Sequence, residues 1–285
     1  MPGMRDIKRK IQSVKSTQKI TKAMKMVSAA KLRKAQEAME AARPYANKIY
    51  EVVSSIGKRV NPELHPFLQQ KEEIKNICLV MFTSDRGLCG AFNANVIKAA
   101  NRFVEENSDK NIKLICVGRR GYDFFRNRDV EIVEKYTNFS GKVTYDDAID
   151  IGKVIVDKFL EGEFDEVYLL FNEFKSIVYH VPKVVKMLPL SFDKEEDEVL
   201  IDYLYEPKPD ILLKNIMPKF INFTVYRALL ESIAGEHGAR MAAMDNATRN
   251  AGELIDKLVL SFNKARQAAI TKEILDIVNG AEALK

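Results

Sequence analysis

The sequence predicts an α/β protein: a long antiparallel two-helix coiled coil, formed by the N- and C-terminal helices, plus a small Rossmann-like α/β domain. Three observations predict it. First, a 3-4 hydrophobic repeat runs unbroken from Phe220 to Ala269, interrupted only by Arg227, His237 and Thr248. Second, no glycine occurs between Gly3 and Gly57, where Ala, Lys, Met and Gln are common. Third, short apolar runs alternate with amphipathic stretches between these two regions, the pattern of strands and helices in a doubly wound sheet.

Residues 4–57 read as the first long helix. Met4, Ile7, Ile11 and Val14 form one stripe, which shifts to Ile20, Met24, Val27 and Ala30. Ala35, Ala38, Ala42, Ile49, Val53 and Ile56 follow. Pro44 should kink or divide this helix, and Gly57 fits its C-terminal stop. Residues 58–74, with Pro62 and Pro66, read as a linker.

The α/β domain spans 75–206. Asn76–Phe82 (NICLVMF) is a continuous apolar run, as in a strand buried on both faces. A glycine-bearing loop over Thr83–Asn93 leads into a helix to about Glu106. Ile112–Val117 is a second strand, followed by a helix near Arg119–Arg128. Thr144–Leu160 is an amphipathic helix, and Glu166–Phe171 and Ser176–Val185 are further strands. Asp193–Glu198 is an acidic loop, and Pro207 and Pro209 mark the return to helix.

Residues 207–285 form the last element. Its seam carries Met241, Met244, Ile255, Leu258 and Phe262, and no proline follows Pro218. About 67 residues at ~1.5 Å each reach roughly 100 Å. Flanking one compact domain, the two terminal helices must pair antiparallel. Their unequal lengths leave about 20 residues of the last helix beyond Met4, or roughly 30 Å. That tip carries Ile270, Ile274, Ile277 and Leu284, apolar side chains that need a partner outside the chain.

Charge is uneven. Residues 1–60 hold 15 Lys and Arg against four acids, a net of +11; the whole chain is +5, so the remainder carries −6. The basic segment implies an acidic partner. A nucleic-acid partner is disfavoured because no aromatic residue interleaves with the lysines before Tyr45. No apolar run approaches the ~20 residues of a membrane span, and the N-terminus lacks the apolar region of a secretory signal. Cys78, Cys89 and Cys116 are too few and too irregularly spaced for a disulfide framework or a zinc site.

Enzymatic chemistry finds little support. The loop Ser84-Asp-Arg-Gly-Leu-Cys-Gly90 lies where a nucleotide would bind in an α/β fold. It is neither a dinucleotide fingerprint nor a P-loop, and it lacks the phosphate-binding lysine. A tight turn with a structural Asp/Arg pair is the favoured reading, and Gly118-Arg-Arg-Gly121 is a weaker candidate still. Cys89 has no histidine assigned to it, and reads as a small buried residue. His237, on the seam, reads as a register-setting polar contact rather than a metal ligand. No catalytic, cofactor-binding or metal-ligating residues are predicted. The competing readings are a nucleotide-binding α/β enzyme with helical arms, and a basic coiled-coil nucleic-acid-binding or scaffold protein.

Four blocks, in order, carry a resemblance. They are Gln18–Leu32 (QKITKAMKMVSAAKL), Ser84–Asn93, Glu236–Met244 (EHGARMAAM) and Ile270–Ala283 (ITKEILDIVNGAEA). Over its whole length the chain resembles the gamma-subunit family of the F-type ATP synthases. Gly235 departs from the serine common in that family, and the paired regulatory cysteines of its chloroplast members are absent. The resemblance implies a non-catalytic rotor shaft inside a hexamer of alpha and beta subunits. The α/β domain would lie against the epsilon subunit and the c-subunit ring, at the cytoplasmic face of the bacterial plasma membrane. It implies that Lys10, Lys19, Lys22 and Lys25 meet acidic loops of the beta subunits. It also implies polar contacts to beta from Arg240, Gln267 and Thr271, and an apolar socket around the tip.

Overall fold

A computed structural model describes residues 3–58, 65–139, 143–174, 176, 180–192 and 209–282. Pro62, the acidic loop Asp193–Glu198, Pro207 and the tip residue Leu284 lie outside the described residues. The elements are α1 (Met4–Gly57), β1 (Asn76–Phe82), α2 (Phe92–Glu106), β2 (Asn111–Val117), α3 (Arg119–Phe125), β3 (Glu131–Tyr136), α4 (Tyr145–Leu160), β4 (Glu166–Phe174), β5 (His180–Leu188) and α5 (Pro209–Glu282). The chain divides into two compact units, Met1–Ser28 with Met241–Lys285, and Ala29–Arg240.

In the unit Ala29–Arg240, one sheet runs in the order β3-β2-β1-β4-β5. The first four strands pair in parallel and β5 joins antiparallel. β1 is central, which explains its unbroken apolar run. Cys78, Val80 and Phe82 face a core shared with α1, α4 and α5. Ile77, Leu79 and Met81 face a second core with α2 and α3. Covering both faces with helices makes the sheet doubly wound.

α4 starts at a capping box: Thr144 accepts from the Asp147 N–H, while Asp147 accepts from the Thr144 N–H at 2.7 Å. β3, an edge strand, has no counterpart among the predicted strands. Its sequence, EIVEKY, carries three charges and none of its residues is fully buried. β5 runs to Leu188, past the predicted end at Val185, and residues 177–179 of the predicted strand lie outside the described residues.

Neither proline breaks its helix. α1 continues through Pro44 and α5 through Pro218. Seam residues on either side of Pro44 remain packed, Ala35 before it and Ile49 after it. Tertiary packing of that face outweighs the ~3 kcal/mol penalty of an interior proline. Gly57 ends α1 without a left-handed turn, and glycine suits the position because a Cβ there would collide with the Phe192 ring.

In the other unit, α1 and α5 pair antiparallel, with Thr21 opposite Thr248 and Lys25 beside Asp245. Buried or half-buried positions on α5 fall at Met244, Thr248, Ala251, Ile255, Leu258, Phe262, Ala265 and Ala269, matching the predicted seam. On α1 the predicted shift to Ile20, Met24, Val27 and Ala30 does not occur. Ile20 and Val27 are 57% and 56% exposed, whereas Thr21 and Ser28 are buried. The seam passes instead through Gln18, Thr21, Lys25 and Ser28, and Gln18, Thr21 and Lys25 find partners across it.

Candidate functional site

The order of the strands puts the loop after β1 at the switch point of the sheet, between β2 on one side and β4 on the other. Ligands of open α/β sheets bind in that crevice. Here the loop is tied down by its own chain. The Thr83 N–H donates to the Val117 carbonyl at 2.7 Å, and the Thr83 hydroxyl oxygen accepts from the Gly121 N–H at 2.9 Å. Gly118 makes the approach possible: its φ is +101°, and a Cβ would collide with the Thr83 carbonyl. Ser84 N–H donates to Asn93 Oδ1 at 2.9 Å, and Ser84 Oγ donates to the Arg86 carbonyl at 2.6 Å. Leu88 and Gly90 take left-handed conformations, φ 64° and 57°.

The crevice is filled from α5. Arg240 donates to the Gly87 carbonyl from Nε at 3.3 Å and from a terminal nitrogen at 3.2 Å, and to the Arg86 carbonyl at 3.2 Å. Its other nitrogen pairs with Glu236 at 2.6 Å and stands 3.3 Å from His237 Nδ1. Burial raises the Glu236 carboxyl above its ordinary value, with Arg240 opposing. Burial also lowers His237 to about 4, helped by the Arg240 charge, so its neutral ring accepts from the guanidinium. The remaining cavity, lined by Thr83, Asp85, Ser232 and Glu236 among others, is about 20 Å³. A small-molecule site needs ~300 Å³ or more.

This geometry bears on three expectations. Arg240, which the resemblance turns toward a beta subunit, is 8% exposed and engages its own chain. His237 partners Arg240 on its own helix at 3.3 Å. Asp85 is held by the Arg119 backbone N–H at 2.9 Å rather than by a guanidinium.

Cys89 packs with Phe92 and Ala239. Its sulfur accepts from Asn93 Nδ2 at 3.2 Å, and burial pushes the thiol up, so it is a poor nucleophile. Larger hollows elsewhere in this unit are aromatic. One of about 510 Å³ is lined by Tyr45, Tyr145, Phe223 and Tyr226. Another, of about 460 Å³, includes Lys186 and Arg227, which are paired to Glu166 and Glu231. Among the described residues no group of three or more His, Cys, Asp or Glu is placed to hold a metal ion.

The coil unit offers surface. Lys10, Lys19 and Lys22 are exposed, while Lys25 is half-exposed and engaged by Asp245 at 2.6 Å. Lys19 and Lys22 each follow a seam residue and share one flank; Lys10 precedes Ile11 and lies on the other. Gln267 and every residue from Thr271 to Asn279 are exposed. Ile270, Ile274 and Ile277 are 48%, 55% and 69% exposed. Met244 and Ile255 are buried in the seam, and Met241, Leu258 and Phe262 are half-buried. Ile20, Met26, Val27 and Leu260 are also exposed, although the sequence places Ile20 and Val27 on the α1 stripe. No helix among the described residues is long and apolar enough to cross a membrane.

Comparison with known proteins bears on this surface. A family model described as ATP synthase matches residues 3–284. The ATP synthase gamma chain of Moorella thermoacetica is 50% identical over 285 residues, covering all of both chains. That of Desulforamulus reducens is 48% identical over 286 residues, again covering all of both chains. Among solved structures, a chain of the Tetrahymena thermophila mitochondrial ATP synthase central stalk and c-ring is 25% identical, with a TM-score of 0.62 over 80% of this chain and 99% of that one. A chain of the Euglena gracilis mitochondrial ATP synthase shares the fold at 17% identity, with a TM-score of 0.68 over 99% of this chain and 94% of that one. With its switch-point crevice filled by α5 and half of its sequence shared end to end with a gamma chain, this chain belongs to the ATP synthase gamma-chain family.

Proposed function

We propose that the chain is the central rotor shaft of an F-type ATP synthase. It couples rotation of a membrane c-ring, driven by proton translocation, to the conformational cycling of catalytic beta subunits, and it performs no catalysis itself. One copy stands within each hexamer of alpha and beta subunits. Residues 1–57 and 207–285 form the shaft, 75–206 form the α/β domain and 58–74 link them. The α/β domain meets the epsilon subunit and the c-ring, at the cytoplasmic face of a bacterial plasma membrane.

The observation that carries this reading is the end of α5. Thr21 faces Thr248, and stepping back along both helices sets Met4 level with about residue 265. Beyond that level the helix continues to Glu282, with every residue from Thr271 to Asn279 exposed. Isoleucines half or more exposed on an unpaired helix are stable only against an apolar partner. A socket of alpha and beta subunits supplies one, and apolar contacts tolerate rotation because they are non-directional.

The shaft biases a catalytic site only by meeting its conformations with different free energies. Lys10, Lys19 and Lys22 present cations on both flanks of the coil, so acidic loops of the beta subunits meet a different charge pattern at each angle. Lys25 adds to that pattern while paired to Asp245. Gln267 and Thr271 offer exposed polar groups near the tip. Close charge pairs in partly dry contacts contribute a few kcal/mol.

Copurification tests the proposal. Affinity-tagged chain isolated from its own cells should carry alpha and beta subunits at one copy per three of each. Recovery of the chain alone, or with nucleic acid, would overturn it.

A further inference from the structure

We infer that Gln18, Thr21 and Lys25 of α1, with Asp245 and Thr248 of α5, form a polar clasp that fixes the axial register and rotational phase of the coil. The clasp is a property of the chain by itself and holds whether or not the chain turns.

Away from the clasp the paired region is apolar. Ile7, Ile11 and Val14 sit at seam positions of α1, and Ile255, Leu258 and Phe262 at those of α5. Burial of such residues supplies attraction but not direction, so alone they resist a small relative slide weakly. Hydrogen bonds and close ion pairs do carry direction.

Three of them cross between the helices within one stretch. The Thr21 and Thr248 hydroxyls stand 2.7 Å apart. Gln18 Nε2 donates to the Thr248 carbonyl at 3.4 Å. Lys25 Nζ donates to Asp245 Oδ1 at 2.6 Å. Gly252 makes room for Gln18, since a Cβ there would lie 3.2 Å from its amide nitrogen.

The hydroxyl protons are fully used. If Thr21 donates across, Thr248 donates to the Met244 carbonyl at 2.7 Å; if Thr248 donates across, Thr21 donates to the Gln18 carbonyl at 3.1 Å. Either way both protons are placed and the two helices are joined. A relative slide of about 3 Å, two residues of helical rise, opens the hydroxyl pair and the amide contact together.

These residues are therefore positioning residues. They set how far the exposed stretch from Ile270 to Val278 stands past the end of α1. A slide at the clasp changes that reach by the same amount.

Pulsed electron spin resonance on the full chain reads the register directly. Nitroxides are placed at Lys15→Cys and Lys264→Cys, both exposed positions, which stand about 15 Å apart along the coil axis when Thr21 faces Thr248, so that an axial slide changes their distance. The native cysteines are buried. The parent should give one narrow distance. The variant Thr21→Val/Thr248→Val/Lys25→Ala/Asp245→Ala, with helicity retained by circular dichroism, should show a distribution broadened or displaced by about 3 Å. Exchanging the charges alone, Lys25→Asp/Asp245→Lys, should keep the parent distance. A parent-like distribution in the four-site variant would overturn the inference and assign register to the apolar layers. If that variant loses helicity, the volume-matched pair Thr21→Val/Thr248→Val is read by the same two outcomes. A register change with normal copurification of alpha and beta leaves the shaft reading intact, so the two can fail separately.

Discussion

Removing the Arg240 side chain should unfold the α/β unit more easily, and the cost can be worked from its surroundings. The Arg240 and Glu236 side chains are 9% and 16% exposed and 2.6 Å apart. Truncating one partner of such a buried pair leaves a carboxylate with no compensating charge and strands the Arg86 and Gly87 carbonyls, at a cost of about 3 kcal/mol. With a urea slope of about 3 kcal/mol/M for a unit of this size, the midpoint should fall by roughly 1 M. The loss should depend on pH. Glu236 already titrates above its ordinary 4.5 because burial outweighs Arg240. Without Arg240 it rises further, so the folded state holds a proton that the unfolded state releases. Stability then falls as pH climbs from about 4.5 through the raised value, and stays low above it. Arg240→Ala should therefore be least damaging near pH 5 and most damaging near pH 8. Adding Glu236→Gln should recover stability at pH 8, because the amide carries no charge. Urea titrations at the two pH values decide. A change under about 0.5 kcal/mol, as for an exposed residue, would refute the internal role and return Arg240 to a partner-facing one.

Further outcomes follow from the same structure. His237 is held near 4 against an ordinary 6.5, so the unfolded chain protonates first on acidification. Stability should drop between those values by at most about 3 kcal/mol, and His237→Gln should remove that component from a pH series of melting curves. Gly152 of α4 abuts α5, where a Cβ would collide with Asn222 Oδ1; Gly152→Ala should cost about 2 kcal/mol in urea unfolding. Deleting the residues after Leu275 removes only exposed positions among those described. The melting temperature of the free chain should be unchanged, while copurification of alpha and beta subunits should weaken without disappearing.

Much of the architecture is legible in the sequence, for reasons that also explain the exceptions. The α5 seam can be read because a 3-4 repeat of Met, Ile, Leu and Phe admits one buried face. β1 can be read because a strand covered on both faces needs no polar alternation. On α1, Ile20, Met24 and Val27 draw a sequence reading one position off the seam. Hydropathy gives no credit to the Thr21 and Thr248 hydroxyls, which satisfy each other at 2.7 Å. β3 hides because an edge strand can expose Glu131, Glu134 and Lys135. The motif around Arg240 identifies a family but not a direction. Only the fold shows that this guanidinium points at the Arg86 and Gly87 carbonyls. The exposed Lys10, Lys19 and Lys22 and the apolar end, by contrast, follow from sequence, while Lys25 is taken up by Asp245.

The unpaired end of α5 also determines how the free protein should age. Each turn past the coil is held only by propagation from the turn before it, which is marginal in water. Fraying therefore starts at the carboxyl terminus and travels inward. A general protease acting on the free chain should trim it in steps from that terminus and slow sharply near Ala265, where α1 begins to shield the backbone. Chain that has entered a snug apolar seat should be spared, so the length of the surviving fragment distinguishes orphaned from engaged molecules.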